Sequence, residues 1–237
     1  MSDPRTHASD DVWRLQRSFL LTAAFVILLW FIEGAELLFG LDLTYLGVFP
    51  RELHGLIGIP LAPLVHGSLS HLFANSPPLL LLGTLILYGY PRSAKIVIPS
   101  VYLGSGLGVW LFARSAYHIG ASGLVFGLLS FLLVIGILRW DKRAIALSLA
   151  VSFLYGSLLW GIFPGQPEIS FEAHAAGAAI GLLLAFSLKQ FDPPPPQKRY
   201  SWEDEEDTDD WFESLADEQQ DGLHSTQPNR SGGNAGG

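Results

Sequence analysis

The pattern of apolar and polar positions divides residues 1–190 into six long apolar runs separated by short polar connectors. A helix needs about 20 apolar residues to cross a hydrocarbon core ~30 Å thick. Backbone groups in lipid must be paired within the protein, and long runs without alternation favour helices over a closed barrel. The sequence therefore predicts an all-α membrane bundle whose six spans cover approximately residues 18–39, 66–88, 96–113, 121–138, 144–163 and 169–188.

The two ends of the chain differ from this apolar middle. Residues 1–17 are polar and are predicted to form a short cytoplasmic arm. The first apolar run is too long for a signal-peptide core and lacks a clear small-residue cleavage site, so we interpret it as an uncleaved span. Residues 191–237 contain four prolines at 193–196, followed by an acidic block with interspersed aromatic residues, a composition typical of disorder. The predicted domains are therefore an arm, a membrane domain over 18–190 and a tail.

Composition supports a membrane protein, since 49% of residues are hydrophobic and only 15% are charged, against about a quarter charged in soluble domains. Residues 1–190 hold 11 of the 14 Lys and Arg and 10 of the 22 Asp and Glu, so the net charge of −8 arises in the tail. No nucleic-acid partner is predicted. The tail is expected to be solvated. The alternative is that its acidic block recognises another protein, whose identity the sequence does not indicate. The lack of cysteine excludes disulfides and thiolate catalysis.

The connectors predict the orientation of the bundle, because Lys and Arg near span ends stay on the cytoplasmic side. The N-terminal arm, the second and fourth connectors and the exit from the last span hold 11 basic residues, whereas the opposite connectors hold only Arg51 and Arg114. Both termini are therefore expected in the cytoplasm, and spans two, four and six begin at the outer face. The mixed connector 41–65 is expected in or near the outer interface.

Polar residues inside apolar spans are costly and mark function or helix contacts. His71 and Asn75 lie four residues apart in span two and share one helix face. Ser122 begins span four, and His174 lies near the start of span six. With a rise of ~1.5 Å per residue, His71, Ser122 and His174 all fall in the outer third of the bilayer. We therefore expect them at one level of the bundle.

Small residues follow two of these positions. Gly123 and Gly127 form a G-xxx-G pair in span four, and Gly177 and Gly181 form another in span six. This spacing lets two helix backbones approach closely. If the two faces meet, the Ser122 hydroxyl and a His174 nitrogen come within hydrogen-bond reach. The alternative is that the glycines only pack helices.

The residue types indicate nucleophilic catalysis. A serine hydroxyl needs a base to take its proton, and neutral histidine is the usual base. The oxyanion that follows needs preorganised donors, for which His71, Asn75 and the backbone N–H of Ser122 are suitable. Glu172 is expected to point away from His174, so a dyad is predicted rather than a triad. The alternative for each polar residue is a helix-backbone or interhelical hydrogen bond, with His54 and His118 expected at the interface. No H-E-x-x-H pair is present, and neither metal nor cofactor is predicted.

Three segments, in order and spacing, resemble the signature segments of rhomboid intramembrane serine proteases: His66–Asn75 (HGSLSHLFAN), Gly120–Gly123 (GASG) and Ala173–Gly181 (AHAAGAAIG). The resemblance covers residues 18–190. It implies that Ser122 is the nucleophile, that His174 is the general base and that His71 and Asn75 line the oxyanion site. His66 resembles a structural support, and the same role is expected for five glycines, namely Gly120, Gly123, Gly127, Gly177 and Gly181.

The same resemblance implies a six-helix core with a water-filled cavity open to the outside. Substrates would be transmembrane proteins whose helix is loosened near its outer end and enters past the fifth helix, while the loop 163–171 covers the site. Two departures stand out. The first outer connector lacks a Trp-Arg pair in 57–63, so its anchoring is expected to differ, and Phe126 replaces a frequent tyrosine, with its ring still able to pack on His174.

These observations together predict an intramembrane serine endopeptidase of a bacterial inner membrane that uses Ser122 and His174 on transmembrane protein substrates. Two other classes stay open. A non-proteolytic rhomboid-like protein would bind transmembrane clients without cleaving them, although such proteins usually lack the serine or the base. A small transporter is disfavoured because no span carries charge near its midplane and no repeat of spans is evident.

Overall fold

A computed structural model describes residues 4–154, 163 and 169–193, with side chains from residue 10 onward. Helices dominate these residues, and the backbone pairing of Val48 with His118 is an isolated bridge, not part of a strand. The all-α prediction is confirmed for the part of the chain described. The α-helices are α1 (Pro4–Phe39), α2 (Gly58–Leu61), α3 (Leu69–Gly89), α4 (Pro91–Phe112), α5 (Ser122–Arg139), α6 (Lys142–Leu154) and α7 (Phe171–Ser187).

Four of the six predicted spans coincide with helices that are long and apolar enough to cross a membrane, namely Asp10–Phe39, Leu69–Gly89, Pro91–Phe112 and Ser122–Arg139. The predicted fifth and sixth spans coincide with α6 and α7, which are described over 13 and 17 residues. Residues 155–162 of the fifth span and 164–168 of the loop after it lie outside the described residues, as does the predicted tail beyond residue 193.

Several predicted boundaries are shifted for identifiable reasons. Helix α1 continues back to Pro4 through the expected polar arm, since proline suits the first turn of a helix and no Gly or Pro follows until Gly34. Helix α4 begins at Pro91 for the same reason, five residues before the expected start. Helix α3 begins only at Leu69, because the Ser68 hydroxyl accepts from the His71 N–H as an N-cap. His66 therefore lies in a connector and not in the helix.

Helix α5 lies at the centre of the bundle, in contact with α3, α4, α6 and α7. Most of its side chains are buried, and Phe131, Leu132 and Ile135 are fully so. An apolar helix enclosed by other helices gains its stability in lipid from close packing, since lipid tails are as apolar as leucine. The beginning of α5 is thus held by neighbours on several sides.

The long connector between α1 and α3 is anchored to the end of α4 by an arginine and a tryptophan. Both lie outside residues 57–63, where the Trp-Arg pair is lacking. Arg51 donates from its backbone N–H to the Trp110 carbonyl (3.0 Å) and from its guanidinium to the Ala113 carbonyl (2.8 Å). The indole of Trp110 donates to the Glu52 carbonyl (2.9 Å). The lack of a Trp-Arg pair in 57–63 is therefore offset by contacts that cross from one segment to the other.

A buried carboxylate joins the end of α7 to the start of α4 at the other end of the bundle. Asp192 is 3% exposed and accepts from the backbone N–H of Arg92 (2.8 Å) and of Ser93 (3.0 Å), and from the Ser93 hydroxyl. Nearby, the Tyr90 hydroxyl donates to Asp141 (2.7 Å). The first turn of α4, whose N–H groups have no partner within the helix, is thus capped by a residue about a hundred positions later.

Replacement of this carboxylate by an amide tests the cap. Asp192→Asn keeps one acceptor oxygen but turns an NH₂ group toward N–H donors, so a buried donor loses its partner at a cost of about 2 kcal/mol. We expect the midpoint of thermal unfolding in detergent, followed by tryptophan fluorescence, to fall by roughly 4–8 °C. Asp10→Asn, at an exposed position of α1, is the matched control. Equal midpoints for the two variants would contradict the capping role.

Candidate active site

The backbones of α5 and α7 touch through the two glycine pairs. A Cβ atom built on Gly177 would overlap the carbonyl group of Gly123, and one on Gly181 would overlap the carbonyl oxygen of Gly127. Ser130, one turn further along α5, donates to the Ala178 carbonyl (2.9 Å). Side chains of any size at these glycines would separate the helices. The close approach expected from the spacing of small residues is confirmed.

This contact brings Ser122 and His174 together. The Ser122 Oγ and the His174 Nε2 lie 2.7 Å apart, and the residues are 7% and 5% exposed. The rings of Phe126 and His174 stack with centroids 4.2 Å apart and planes inclined by 12°, so the predicted packing of Phe126 is confirmed. Because Phe126 follows Ser122 by one helical turn, the nucleophile candidate and the ring that holds the imidazole plane sit on the same helix.

His71 lies against the segment that precedes Ser122. Gly120 has φ +103°, a conformation that side chains rarely adopt, and a Cβ at this position would lie 2.5 Å from Cε1 of His71. Glycine is therefore required at residue 120 both for its backbone conformation and for the approach of the His71 ring. The structure places this half-buried imidazole next to the turn that leads into α5.

His66 supports the same turn from the connector before α3. Its Nε2 accepts from the Ala121 N–H (3.4 Å), and its ring packs edge to face on His71 with centroids 5.1 Å apart. Burial, and to a smaller degree His71, lower the pKa of the His66 imidazole well below its ordinary value. A neutral ring can accept a hydrogen bond, whereas a charged one carries a proton on both nitrogens. The lowered pKa thus favours the form that holds Ala121.

Asn75 is 3% exposed and donates from Nδ2 to the His71 carbonyl of its own helix (3.1 Å). This is the helix-backbone bond weighed as the alternative for the polar residues. An amide group carries two N–H donors, so one such bond leaves a second donor on the same nitrogen. The bond also fixes the orientation of the amide relative to His71.

Glu172 is bound elsewhere, as expected from its position two residues before His174. Its carboxylate lies 3.3 Å from the Arg114 guanidinium, whose other nitrogen donates to the Ile169 carbonyl (2.9 Å). Among the described residues no group of three His, Cys, Asp or Glu side chains could hold a metal ion. The side chains that the structure places at the site supply a hydroxyl, an imidazole and hydrogen-bond donors.

A small cavity of about 20 Å³ lies directly behind the turn into α5. Its lining includes Ser105, His118, Gly120, Gly123 and Leu124. His118 is 5% exposed and bonded to Ser170, and its expected place at the membrane interface stays a prediction. The sequence analysis did not predict this pair, because His118 lies outside the apolar spans and neither residue belongs to a glycine pattern that would relate their positions.

Comparisons with known proteins find a matching family model and several relatives. Residues 51–191 match a family model described as Rhomboid domain. The uncharacterized protein Rv1337 of Mycobacterium tuberculosis is 37% identical over 185 residues, which cover 74% of this chain and 76% of the relative. RHOMBOID-like protein 4 of Arabidopsis thaliana is 33% identical over 129 residues, covering 52% and 32%. Rhomboid-related protein 3 of Homo sapiens is 29% identical over 136 residues, covering 51% and 33%.

A single added methyl group tests the contact that forms the site. Gly177→Ala places a Cβ inside the Gly123 carbonyl group, so we expect α5 and α7 to separate and stability to fall by roughly 1–3 kcal/mol. Gly34→Ala is the matched control, because a Cβ there meets nothing within 4 Å. Thermal unfolding in detergent should show a lower midpoint for Gly177→Ala only. A midpoint as high as that of Gly34→Ala would rule out the close contact.

Proposed function

The chain belongs to the rhomboid family and is an integral membrane protein, and we propose that it is an intramembrane serine endopeptidase that cleaves transmembrane protein substrates. The observation that carries the proposal is the 2.7 Å contact between the Ser122 hydroxyl and the His174 imidazole. A buried serine bonded to a histidine nitrogen is the arrangement that activates a hydroxyl for attack on a carbonyl.

In the proposed reaction His174 Nε2 takes the hydroxyl proton as Ser122 Oγ attacks the peptide carbonyl. The negative charge that develops on the carbonyl oxygen is stabilised by His71, by the second N–H of the Asn75 amide and by the Ser122 backbone N–H in the first turn of α5. The peptide C–N bond then breaks, and the imidazolium gives its proton to the leaving amine. Water, deprotonated by His174, attacks the acyl-enzyme ester, and the proton returns to Ser122 as the product acid leaves.

The proposed setting is a bundle of six spans in a bacterial inner membrane with both termini in the cytoplasm. The distribution of Lys and Arg among the connectors supports this orientation, and relatives such as the mycobacterial protein support a bacterial membrane. In this orientation Ser122 and His174 lie near the outer face, where water for the second half-reaction is within reach. Substrates would therefore be cut near the outer ends of their transmembrane helices.

Removal of either member of the dyad provides the first test. We expect Ser122→Ala and His174→Ala each to abolish cleavage of a transmembrane reporter in liposomes, and Ser122→Ala to abolish covalent labelling by a serine-directed phosphonate. Ser187→Ala, an exposed serine bonded to its own helix, should behave as wild type. Undiminished cleavage by either dyad variant would refute the assignment, and a labelled wild type excludes a protein that only binds clients.

Loss of an oxyanion donor should lower kcat less than loss of the dyad serine. His71→Ala and Asn75→Ala should each lower kcat by about 10²–10³-fold, the loss usual for one such donor, while the Ser122 hydroxyl stays available. The expected result is residual cleavage above that of Ser122→Ala, measured as initial rates on the same reporter. A kcat equal to that of wild type would remove the residue concerned from the oxyanion site.

A further inference from the structure

We propose that His118 is a positioning residue that, through the Ser170 hydroxyl, sets the position of α7 along α5 and thereby the distance between Ser122 and His174. The inference rests on the proposed function for its catalytic consequence. Its geometric part stands on hydrogen bonds that lie outside the reacting groups and join the segment before α5 to the segment before α7.

The ring of His118 is buried and bonded on both sides. Its Nε2 lies 3.0 Å from the Arg114 carbonyl, and its Nδ1 lies 2.7 Å from the Ser170 Oγ. A carbonyl oxygen can only accept, so Nε2 carries a proton. In the neutral imidazole Nδ1 is then the acceptor, and the Ser170 hydroxyl donates to it. The ring thus joins a carbonyl of one segment to a hydroxyl of another.

Ser170 is the residue on which α7 begins. Its hydroxyl oxygen accepts from the Ala173 N–H (3.3 Å) as an N-cap, and its carbonyl accepts from the His174 N–H (3.3 Å). Because the hydroxyl proton goes to His118, the oxygen lone pairs remain free to cap the helix. Any shift of Ser170 therefore moves the first turn of α7 and with it His174.

The other side of the link is equally fixed. The backbone of His118 exchanges two hydrogen bonds with Val48, each 2.9 Å long, and the left-handed turn at Gly120 leads from it into Ser122. A second tie runs parallel, since Arg114, whose carbonyl accepts from His118, also binds Glu172. Residues 114–118 and 169–172 are therefore joined by one polar network directly beside the dyad.

This network supplies a constraint that the glycine pairs lack. Glycines let α5 and α7 approach, and Ser130 joins the two helices further along, but the glycines themselves carry no side chain that resists sliding along the helix axis at the end nearest the dyad. Each residue adds ~1.5 Å to a helix, so a slip of less than one residue carries His174 Nε2 out of hydrogen-bond reach of Ser122 Oγ. The bond from His118 to Ser170 opposes that slip at the end of α7 nearest the dyad.

Kinetics of variants at both ends of the bond test the inference. His118→Ala and Ser170→Ala should each lower kcat on the transmembrane reporter by ~10–10²-fold, as expected for a misplacement of about 1 Å, with KM changed less than about two-fold because no substrate contact is lost. The double variant should lose no more than the worse single variant, since both remove the same bond. Ser170→Thr, which keeps the hydroxyl, and His118→Asn, which keeps an acceptor near Nδ1, should recover most of the rate.

His54→Ala is the matched control, because His54 is an exposed histidine of the connector between α1 and α3, whose ring contacts Phe49 and Tyr117 but has no bond to Ser170, and its kcat should match wild type. Wild-type kcat in both His118→Ala and Ser170→Ala, or a double loss equal to the product of the single losses, would overturn the inference. The inference would also be overturned if Ser170→Thr did not recover kcat and if the loss of kcat followed a lowered midpoint of thermal unfolding. Such a result would indicate a general effect on folding.

A crystal structure of Ser170→Ala separates this inference from the proposed function. The distance from His174 Nε2 to Ser122 Oγ should exceed about 3.5 Å, the limit of a hydrogen bond. Retention of the 2.7 Å contact would overturn the positioning role whether or not the protein cleaves a substrate. Conversely, a lengthened contact in a protein whose wild type neither cleaves nor labels would support the positioning role and refute the protease.

Discussion

The contact between the backbones of α5 and α7 is the interaction on which the candidate site depends. Lipid tails are as apolar as leucine, so two apolar helices gain little from leaving lipid unless their surfaces fit closely. The glycine pairs provide that fit, because the carbonyls of Gly123 and Gly127 occupy the space that side chains at Gly177 and Gly181 would fill. Two groups 52 residues apart can thus share a hydrogen bond within a membrane domain.

Several polar side chains elsewhere in the bundle also join two elements. The Trp30 indole donates to Ser76 (3.0 Å) and ties α1 to α3, while Ser130 ties α5 to α7. At the far end, Asp192 caps α4 from beyond α7. An unpaired polar group costs several kcal/mol in lipid, so these bonds favour one arrangement of the helices over others that close packing alone would allow.

Much of this arrangement could be predicted from the sequence, and the reason differs between features. Long apolar runs determine helices because lipid leaves no other partner for the backbone, and the G-xxx-G spacing identified the faces that meet. The start of α3 could not be placed, since a serine cap at Ser68 outweighs the apolar residues before it. The bonds of Arg51 to Ala113 and of His118 to Ser170 were equally out of reach, because their partners are brought together only by the complete fold.

The imidazole of His174 is oriented by an aromatic ring, and Glu172 takes no part in holding it. In soluble serine hydrolases a carboxylate commonly holds the ring in place, but a charged group at membrane depth carries a desolvation cost that an apolar one does not. Here the face of Phe126 lies 4.2 Å from His174 and fixes the plane of its ring. Stacking needs the aromatic face and not a hydroxyl, so a phenylalanine at this position can stack on the imidazole. The rotation of the ring is then restricted by Phe126 on α5, and the position of the ring follows from where Ser170 begins α7.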